Sequence, residues 1–246
     1  MKRETRDIFL YVAPFATWIA LKTILPATAW VYAAHTIATV LVGVYCLWQG
    51  RARSCATATG ETPVAGSDKS VASPNAGDLG EAAPSPLHLA AGLLVGVLVA
   101  VLWIAPEFSD FYRTWLCWPF GSLPAESPSP YEPAVCGWAL TVAKLVGSAF
   151  VIAPVEEVFF RSFLYRWVQK NDFRAVPLSR FDLSAFLWTV FLFTIEHDRP
   201  LVAAAAGAFY GLVAIRFGLA SAILAHVATN LLLALYVIDR GAWAFW

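Results

Sequence analysis

A charged motif inside an apolar stretch decides how this chain folds: Pro154-Val155-Glu156-Glu157-Val158-Phe159-Phe160-Arg161, at the end of an apolar run that begins near Val135. Burying ionised groups in such a run is costly, so their presence indicates a functional site. On a helix, Glu157 and Arg161 lie about 40° apart and can pair, whereas Glu156 lies about 100° from Glu157. The spacing therefore predicts one neutralised carboxylate and a second, Glu156, that is free for chemistry.

The composition is that of a membrane protein. The 246 residues are 59% hydrophobic and only 14% charged, with a mean hydropathy of +0.63, whereas soluble domains contain about 25% charged residues. The formal net charge is zero and the chain has no basic tract, so nucleic acid is not expected as a partner. We therefore predict an all-α fold: a polytopic membrane helical bundle of about seven transmembrane helices, or eight, with the lipid bilayer as its surroundings.

Apolar runs near the length of about 20 residues that a bilayer requires define the predicted spans. Lys2, Arg3 and Arg6 precede the first run, which we interpret as an uncleaved signal anchor because further spans follow. Pro154 lies inside the fourth run, where we expect a kink or break since proline cannot donate a helical hydrogen bond. The predicted spans are residues 8–25, 29–49, 87–105, 135 to beyond 154, 181–195, 201–215 and 219–238.

The positive residues predict the orientation of these spans. If the N-terminus is cytoplasmic, most lysines and arginines outside the spans also lie on the cytoplasmic side, as the positive-inside rule requires. This topology leaves an unresolved point, because it places Glu156 near the cytoplasmic side and His197 at the outer end of a short helix. For the two to meet, either the helix breaks at Pro154 and re-enters, or the short helix does not cross the bilayer fully.

A change of composition divides the chain into three regions. Residues 1–49 form a transmembrane hairpin, and residues 87–246 form a membrane core whose motifs lie within 154–230. Between them, residues 50–86 are rich in Ala, Ser, Thr, Gly and Pro and contain no aromatic residue. Such a segment cannot bury enough apolar surface to become ordered, so we predict a flexible linker.

Two cysteines share one loop region in this topology. Cys117 and Cys136 lie in or beside the same extracytoplasmic loop. Two free thiols and a disulfide both remain open, since an oxidising compartment permits the bond.

Two further apolar segments carry polar residues at helical spacing. His197 follows Phe193 by four residues, and Asn230 follows His226 by four, so each pair shares one helix face. Together with Glu156, these groups suit hydrolysis of an amide. A carboxylate can take a proton from water, a histidine can orient the water or move the proton, and a His–Asn pair can donate hydrogen bonds to the oxyanion.

These three motifs, Glu156-Glu157-x-x-x-Arg161, Phe193-x-x-x-His197 and His226-x-x-x-Asn230, resemble those of the CAAX prenyl protease family, also called CPBP or Abi. Members of that family are glutamate-type intramembrane endopeptidases. The resemblance covers residues 135–240, with the motifs in the family's order and on separate apolar helices. The N-terminal hairpin and the 199–216 stretch also look like the bacterial branch that accompanies exosortase systems.

The resemblance implies roles for six residues. It assigns the activation of water to Glu156 and His197, and the oxyanion hole to His226 and Asn230. It makes Glu157 and Arg161 a supporting pair. It further implies a membrane-associated protein substrate, with a C-terminal CAAX-like sequence as one candidate and exosortase-system proteins as others, and a location in a bacterial inner membrane.

Two other functions remain open from the sequence. In a zinc-dependent membrane protease, Glu156, His197 and His226 would ligate the metal and water would take the fourth position, although no His-x-x-x-His pair is present. A non-catalytic membrane scaffold or immunity-type protein would need none of this chemistry. The resemblance favours the enzyme and implies no cofactor.

Overall fold

The fold is an assembly of helices, here taken from a computed structural model that describes residues 3–58, 84–109, 111 and 128–246. No strand occurs among these residues, and three short 3₁₀ helices cover Ala105–Phe108, Phe173–Ala175 and Trp243–Phe245. The helices are α1 (Arg3–Ile24), α2 (Ala29–Ala58), α3 (Pro86–Ile104), α4 (Pro133–Cys136), α5 (Trp138–Gln169), α6 (Leu183–Ile195), α7 (Pro200–Phe217) and α8 (Leu219–Arg240).

Six helices of the described part are long and apolar enough to cross a membrane: α1, α2, α3, α5, α7 and α8. The prediction of a polytopic helical membrane bundle is therefore confirmed. The predicted fifth span corresponds to α6, which has only 13 residues. At about 1.5 Å per residue it is roughly 20 Å long, less than the roughly 30 Å of a bilayer core. A helix of this length is too short to cross the bilayer core by itself.

The second candidate membrane span, Ala29–Gln49, agrees with the predicted span 29–49, but the helix that contains it is longer. Helix α2 continues to Ala58, nine residues beyond the predicted end at residue 49. The greater part of the predicted linker, residues 59–83, lies outside the described residues, and so does Cys117. The flexible linker and the Cys117–Cys136 disulfide therefore stay predictions.

Helix α5 runs through Pro154 without a break, which corrects the expected break or re-entry at this residue. Instead, the hydrogen bonding becomes π-helical before the proline, at Gly147–Ile152, and again after it, at Val158–Leu164. In the first stretch the N–H of Ala153 bonds to the carbonyl of Ser148, five residues back. The wider turn accommodates the missing N–H of Pro154, since π-bulges adjust a helix locally without ending it.

Close contact between α3 and α8 sets the position of the last helix. Gly92 and Gly96 face the backbone of α8, and a Cβ at either position would lie 2.5 Å from a backbone oxygen of that helix. The Thr229 hydroxyl donates to the carbonyl of Gly96 at 2.9 Å. Helix α8 therefore packs directly on the backbone of α3.

The N-terminal hairpin also packs on the core. The ring of Phe15 in α1 stacks on Phe159 of α5, with centroids 4.0 Å apart. Trp18 and Tyr32 join a buried cluster with Tyr131. Helices α1 and α2 thus form part of the surroundings of α5.

Candidate active site

The four residues predicted to catalyse line one cavity. The cavity has a volume of about 170 Å³, and Glu156, His197, His226 and Asn230 all contribute to its wall. They come from α5, from the turn after α6, and from α8. The sequence could not decide how Glu156 and His197 meet. Both line the cavity because the short helix α6 packs its C-terminal end on α5, where the rings of Phe193 and Phe160 lie 5.3 Å apart.

The predicted pair of Glu157 and Arg161 is present and buried. Arg161 Nε lies 3.2 Å from Glu157 Oε2, and both side chains are almost inaccessible to solvent. Arg161 also donates from Nη2 to the carbonyl of Gly207 at 3.2 Å. This guanidinium anchors α5 to α7 and compensates the buried Glu157 carboxylate, which otherwise would be costly to bury.

The other oxygen of Glu157 accepts a hydrogen bond from His226. The distance from His226 Nδ1 to Glu157 Oε1 is 3.1 Å. With Glu157 acting as the carboxylate partner of Arg161, its oxygen accepts this bond and Nδ1 of His226 donates. The opposite ring nitrogen, Nε2, lies 3.8 Å from Glu156 Oε2. Tyr210 stacks on the imidazole with centroids 4.6 Å apart, so the ring is held on its edge and on its face.

His197 lies just beyond the end of α6. Its Nδ1 is 2.7 Å from the carbonyl oxygen of Phe193, and since a carbonyl can only accept, Nδ1 donates and Nε2 carries the lone pair. Burial lowers the pKa of His197 to about 4, although the bond to Phe193 acts in the opposite direction. The imidazole is therefore neutral at neutral pH and can accept a proton or a hydrogen bond through Nε2.

Phe193 packs against both histidines. It is almost fully buried, with its ring centroid 4.5 Å from His197 and 5.9 Å from His226. Phe193 therefore contacts both imidazole rings and restricts their movement.

Asn230 is oriented by the π-helical part of α5. Its amide nitrogen donates to the Ser148 carbonyl at 3.0 Å, the same carbonyl that accepts from Ala153. The carboxamide therefore has a fixed orientation and keeps a second N–H for a ligand in the cavity.

Sequence reasoning assigned no function to two charged residues: Lys144, which lines this cavity, and Glu196, which lies next to His197 in the sequence. The Nζ of Lys144 lies 4.1 Å from the ring centroid of Tyr32 and 4.5 Å from that of Tyr131. Glu196 has a buried Oε2 that has no hydrogen-bond partner among the described residues, and burial raises its pKa to about 7 while Lys22 acts against this. The partners of Lys144 are remote in sequence, so helical spacing contained no signal for them.

A metal centre was the alternative use of Glu156, His197 and His226. Within the part of the chain that the structure describes, no three His, Cys, Asp or Glu side chains are grouped so that they could hold a metal ion. Instead, the two nitrogens of His226 face Glu157 and Glu156.

Comparison with known proteins agrees with the resemblance of the motifs. Comparisons with curated proteins and with solved structures each produced no significant match. A family model, described as type II CAAX prenyl endopeptidase Rce1-like, matches residues 138–232. This segment contains Glu156, Glu157, Arg161, the two histidines and Asn230. The part of this membrane protein that forms most of the cavity is thus similar to type II CAAX prenyl endopeptidases of the Rce1-like family.

Proposed function

We propose that this chain is an intramembrane endopeptidase of the CAAX protease type, which hydrolyses a peptide bond of a membrane-associated protein. One observation carries the proposal. Glu156 is a buried carboxylate whose Oε2 lies 3.8 Å from an imidazole nitrogen of His226, in a cavity that also contains His197 and Asn230. The match to an endopeptidase family over residues 138–232 supports the same reaction.

Glu156 and His197 activate the water in this proposal. The water lies between the Glu156 carboxylate and Nε2 of His197, which is free because Nδ1 is bonded to Phe193. Glu156 takes a proton from the water as its oxygen attacks the carbonyl carbon of the substrate, and His197 orients the water through its lone pair. The proton then passes from Glu156 to the leaving nitrogen as the C–N bond breaks, so that an amine and a carboxylic acid are released, and the acid gives up its proton to solvent.

His226 and Asn230 stabilise the oxyanion of the tetrahedral intermediate. Asn230 offers its second N–H, since the first is bonded to Ser148. His226 donates from Nε2 when its ring is protonated, because Nδ1 already donates to Glu157. The Glu157 carboxylate compensates the charge of that imidazolium. Donors that are fixed before the reaction act most strongly in a site of low dielectric constant.

Arg161 and Glu157 act indirectly. Their ion pair leaves one carboxylate oxygen for His226, which fixes the orientation of the imidazole relative to Glu156. We therefore regard both as positioning residues.

The setting of the reaction follows from the sequence. We place the N-terminus in the cytoplasm because the lysines and arginines outside the spans then cluster on that side, and we propose a bacterial inner membrane because the N-terminal hairpin and the 199–216 stretch resemble a bacterial branch of the family. Proteins of an exosortase system are the candidate substrates, since the N-terminal hairpin resembles the branch that accompanies such systems.

Peptide termini in host-cell membranes test the proposal. Membranes that contain the wild type or Glu156→Gln at equal amounts are compared by mass spectrometry of all peptide termini. Glu132→Gln, the same change outside the cavity, is the matched control. New termini with the wild type and the control, but not with Glu156→Gln, establish proteolysis and identify the substrate. Identical termini in all three samples, with the cellular phenotype intact, contradict it and favour a scaffold.

A further inference from the structure

The cavity contains a cation that the catalytic scheme does not use. Lys144 lies on α5, and its ammonium group faces the same cavity as Glu156. Among the described residues, no carboxylate lies within 4.0 Å of its Nζ. The charged or titratable groups that act on it are more distant: Asp198 from the turn after α6, Lys22 from α1 and His35 from α2.

Two tyrosine rings hold this ammonium in place. Nζ lies 4.1 Å from the ring centroid of Tyr32 and 4.5 Å from that of Tyr131, and the Tyr32 hydroxyl donates to the Lys144 carbonyl at 3.4 Å. Ring faces attract a cation, but they provide less stabilisation than an anionic partner with hydrogen bonds. The ammonium group is thus positioned, and no carboxylate of the described residues pairs with it, so a ligand in the cavity can provide the anion.

We propose that Lys144 binds a carboxylate of the peptide substrate and so determines which peptides the cavity accepts. The proposal rests on the proposed function, because it assumes that the peptide bond to be cut lies at Glu156. The remaining wall is largely aromatic, with Trp18, Trp103 and Phe245 among its residues. Such a wall suits apolar side chains of the peptide.

The distance along α5 between Lys144 and Glu156 limits how many substrate residues can lie between the bond that is cut and the carboxylate. Lys144 and Glu156 are 12 positions apart in the sequence, which corresponds to a rise of about 18 Å. An extended peptide covers about 3.4 Å per residue. Since the intervening stretch Gly147–Ile152 is π-helical and rises less per residue, the separation corresponds to at most about five residues of extended peptide between the bond that is cut and the carboxylate.

Binding of defined peptides tests the proposal without catalysis. The probes are fluorescein-labelled eight-residue libraries of alanine, valine, leucine and phenylalanine, made with either a free C-terminal acid or an amide. Their affinity for purified Glu156→Gln protein in detergent micelles is measured by fluorescence anisotropy. We expect the acid library to bind about ten- to hundredfold more tightly, the range for a hydrogen bond to a charged group.

Substitutions of Lys144 test whether this residue causes the preference for the acid library. In the Glu156→Gln protein, adding Lys144→Met should reduce the affinity for the acid library to that for the amide library, while Lys144→Arg keeps the preference. Lys170→Met, the same change at an exposed lysine, should also keep it. Equal binding of acids and amides by the parent protein overturns the proposal even if Lys144→Met fails to fold. So does an acid preference that survives Lys144→Met.

A third library separates the two sources of the carboxylate. It is an amide library with glutamate as its last residue. Tight binding of the acid library alone assigns the chain terminus, and tight binding of this library as well shows that a side-chain carboxylate also fits. The binding assay does not require cleavage, so the two proposals can fail separately. If the wild type produces no new termini, the proposed protease function is refuted, while the binding assay still decides whether Lys144 binds a carboxylate.

Discussion

Replacing Gly96 by alanine tests whether α3, which lies outside the segment similar to the family, positions the catalytic groups of α8. A Cβ at Gly96 would lie 2.5 Å from the Ala225 carbonyl oxygen and 2.8 Å from the Ala228 side chain. The first contact is with backbone, so no side chain can rotate away to relieve it. The added methyl group must therefore push the two helices apart.

The size of this shift follows from the contact. Ordinary contact begins near 3.4 Å, so the Cβ is 0.9 Å too close to the Ala225 oxygen. Helix α8 carries His226, which is 3.1 Å from Glu157, and Asn230, which is 3.0 Å from the Ser148 carbonyl. Overpacking of this kind costs about 1–3 kcal/mol of stability, and misplacement of catalytic groups by about 1 Å costs about 100-fold in rate. We expect Gly96→Ala to cut about 100-fold more slowly.

The measurement is the rate at which the termini specific to the wild type appear in membranes, divided by the amount of protein. Gly43→Ala is the matched control, because nothing lies within 4 Å of a Cβ at Gly43. It should cut at the wild-type rate. If Gly96→Ala is present at the wild-type level and also cuts at the wild-type rate, then α3 does not position α8 and the argument is refuted.

Three further changes have defined outcomes. Arg161→Met leaves Glu157 buried without its ion pair, so we expect a loss of about 3–5 kcal/mol, measured as a lower unfolding temperature in detergent; an unchanged temperature would contradict the buried pair. Because burial raises the pKa of Glu196 from 4.5 to about 7, the folded state holds this proton more tightly, and stability is lost as pH rises from about 4.5 to 7. Between pH 5 and 8 the unfolding temperature of Glu196→Gln should therefore fall less than that of the wild type. Equal falls in the two proteins would show that the protonated form of Glu196 does not contribute to stability. Cleavage should persist in EDTA, since no group of three ligands occurs among the described residues; loss of cleavage that zinc restores would establish the metal-dependent alternative.

Local spacing explains which parts of the site were predictable. The apolar runs indicated the membrane class and the order of the helices, because about 20 apolar residues in succession suit the bilayer core. The pair of Glu157 and Arg161 also followed from the sequence, since residues four apart are neighbours on any helix. Pro154 was harder to interpret, because a missing N–H can either break a helix or be absorbed by π-helical turns, as happens in α5.

Contacts between helices were decided by the tertiary structure alone. His226 reaches Glu157 across 69 residues of sequence, and Asn230 reaches the Ser148 carbonyl across 82. Lys144 had no partner at helical spacing, and its aromatic neighbours come from α2 and from the loop before α4. Spacing along a helix determines which residues share a face, but it does not determine how that face is rotated toward other helices. In this chain the rotation of α8 follows from its close packing on the glycines of α3, and that packing brings the histidine and the asparagine to the cavity of Glu156.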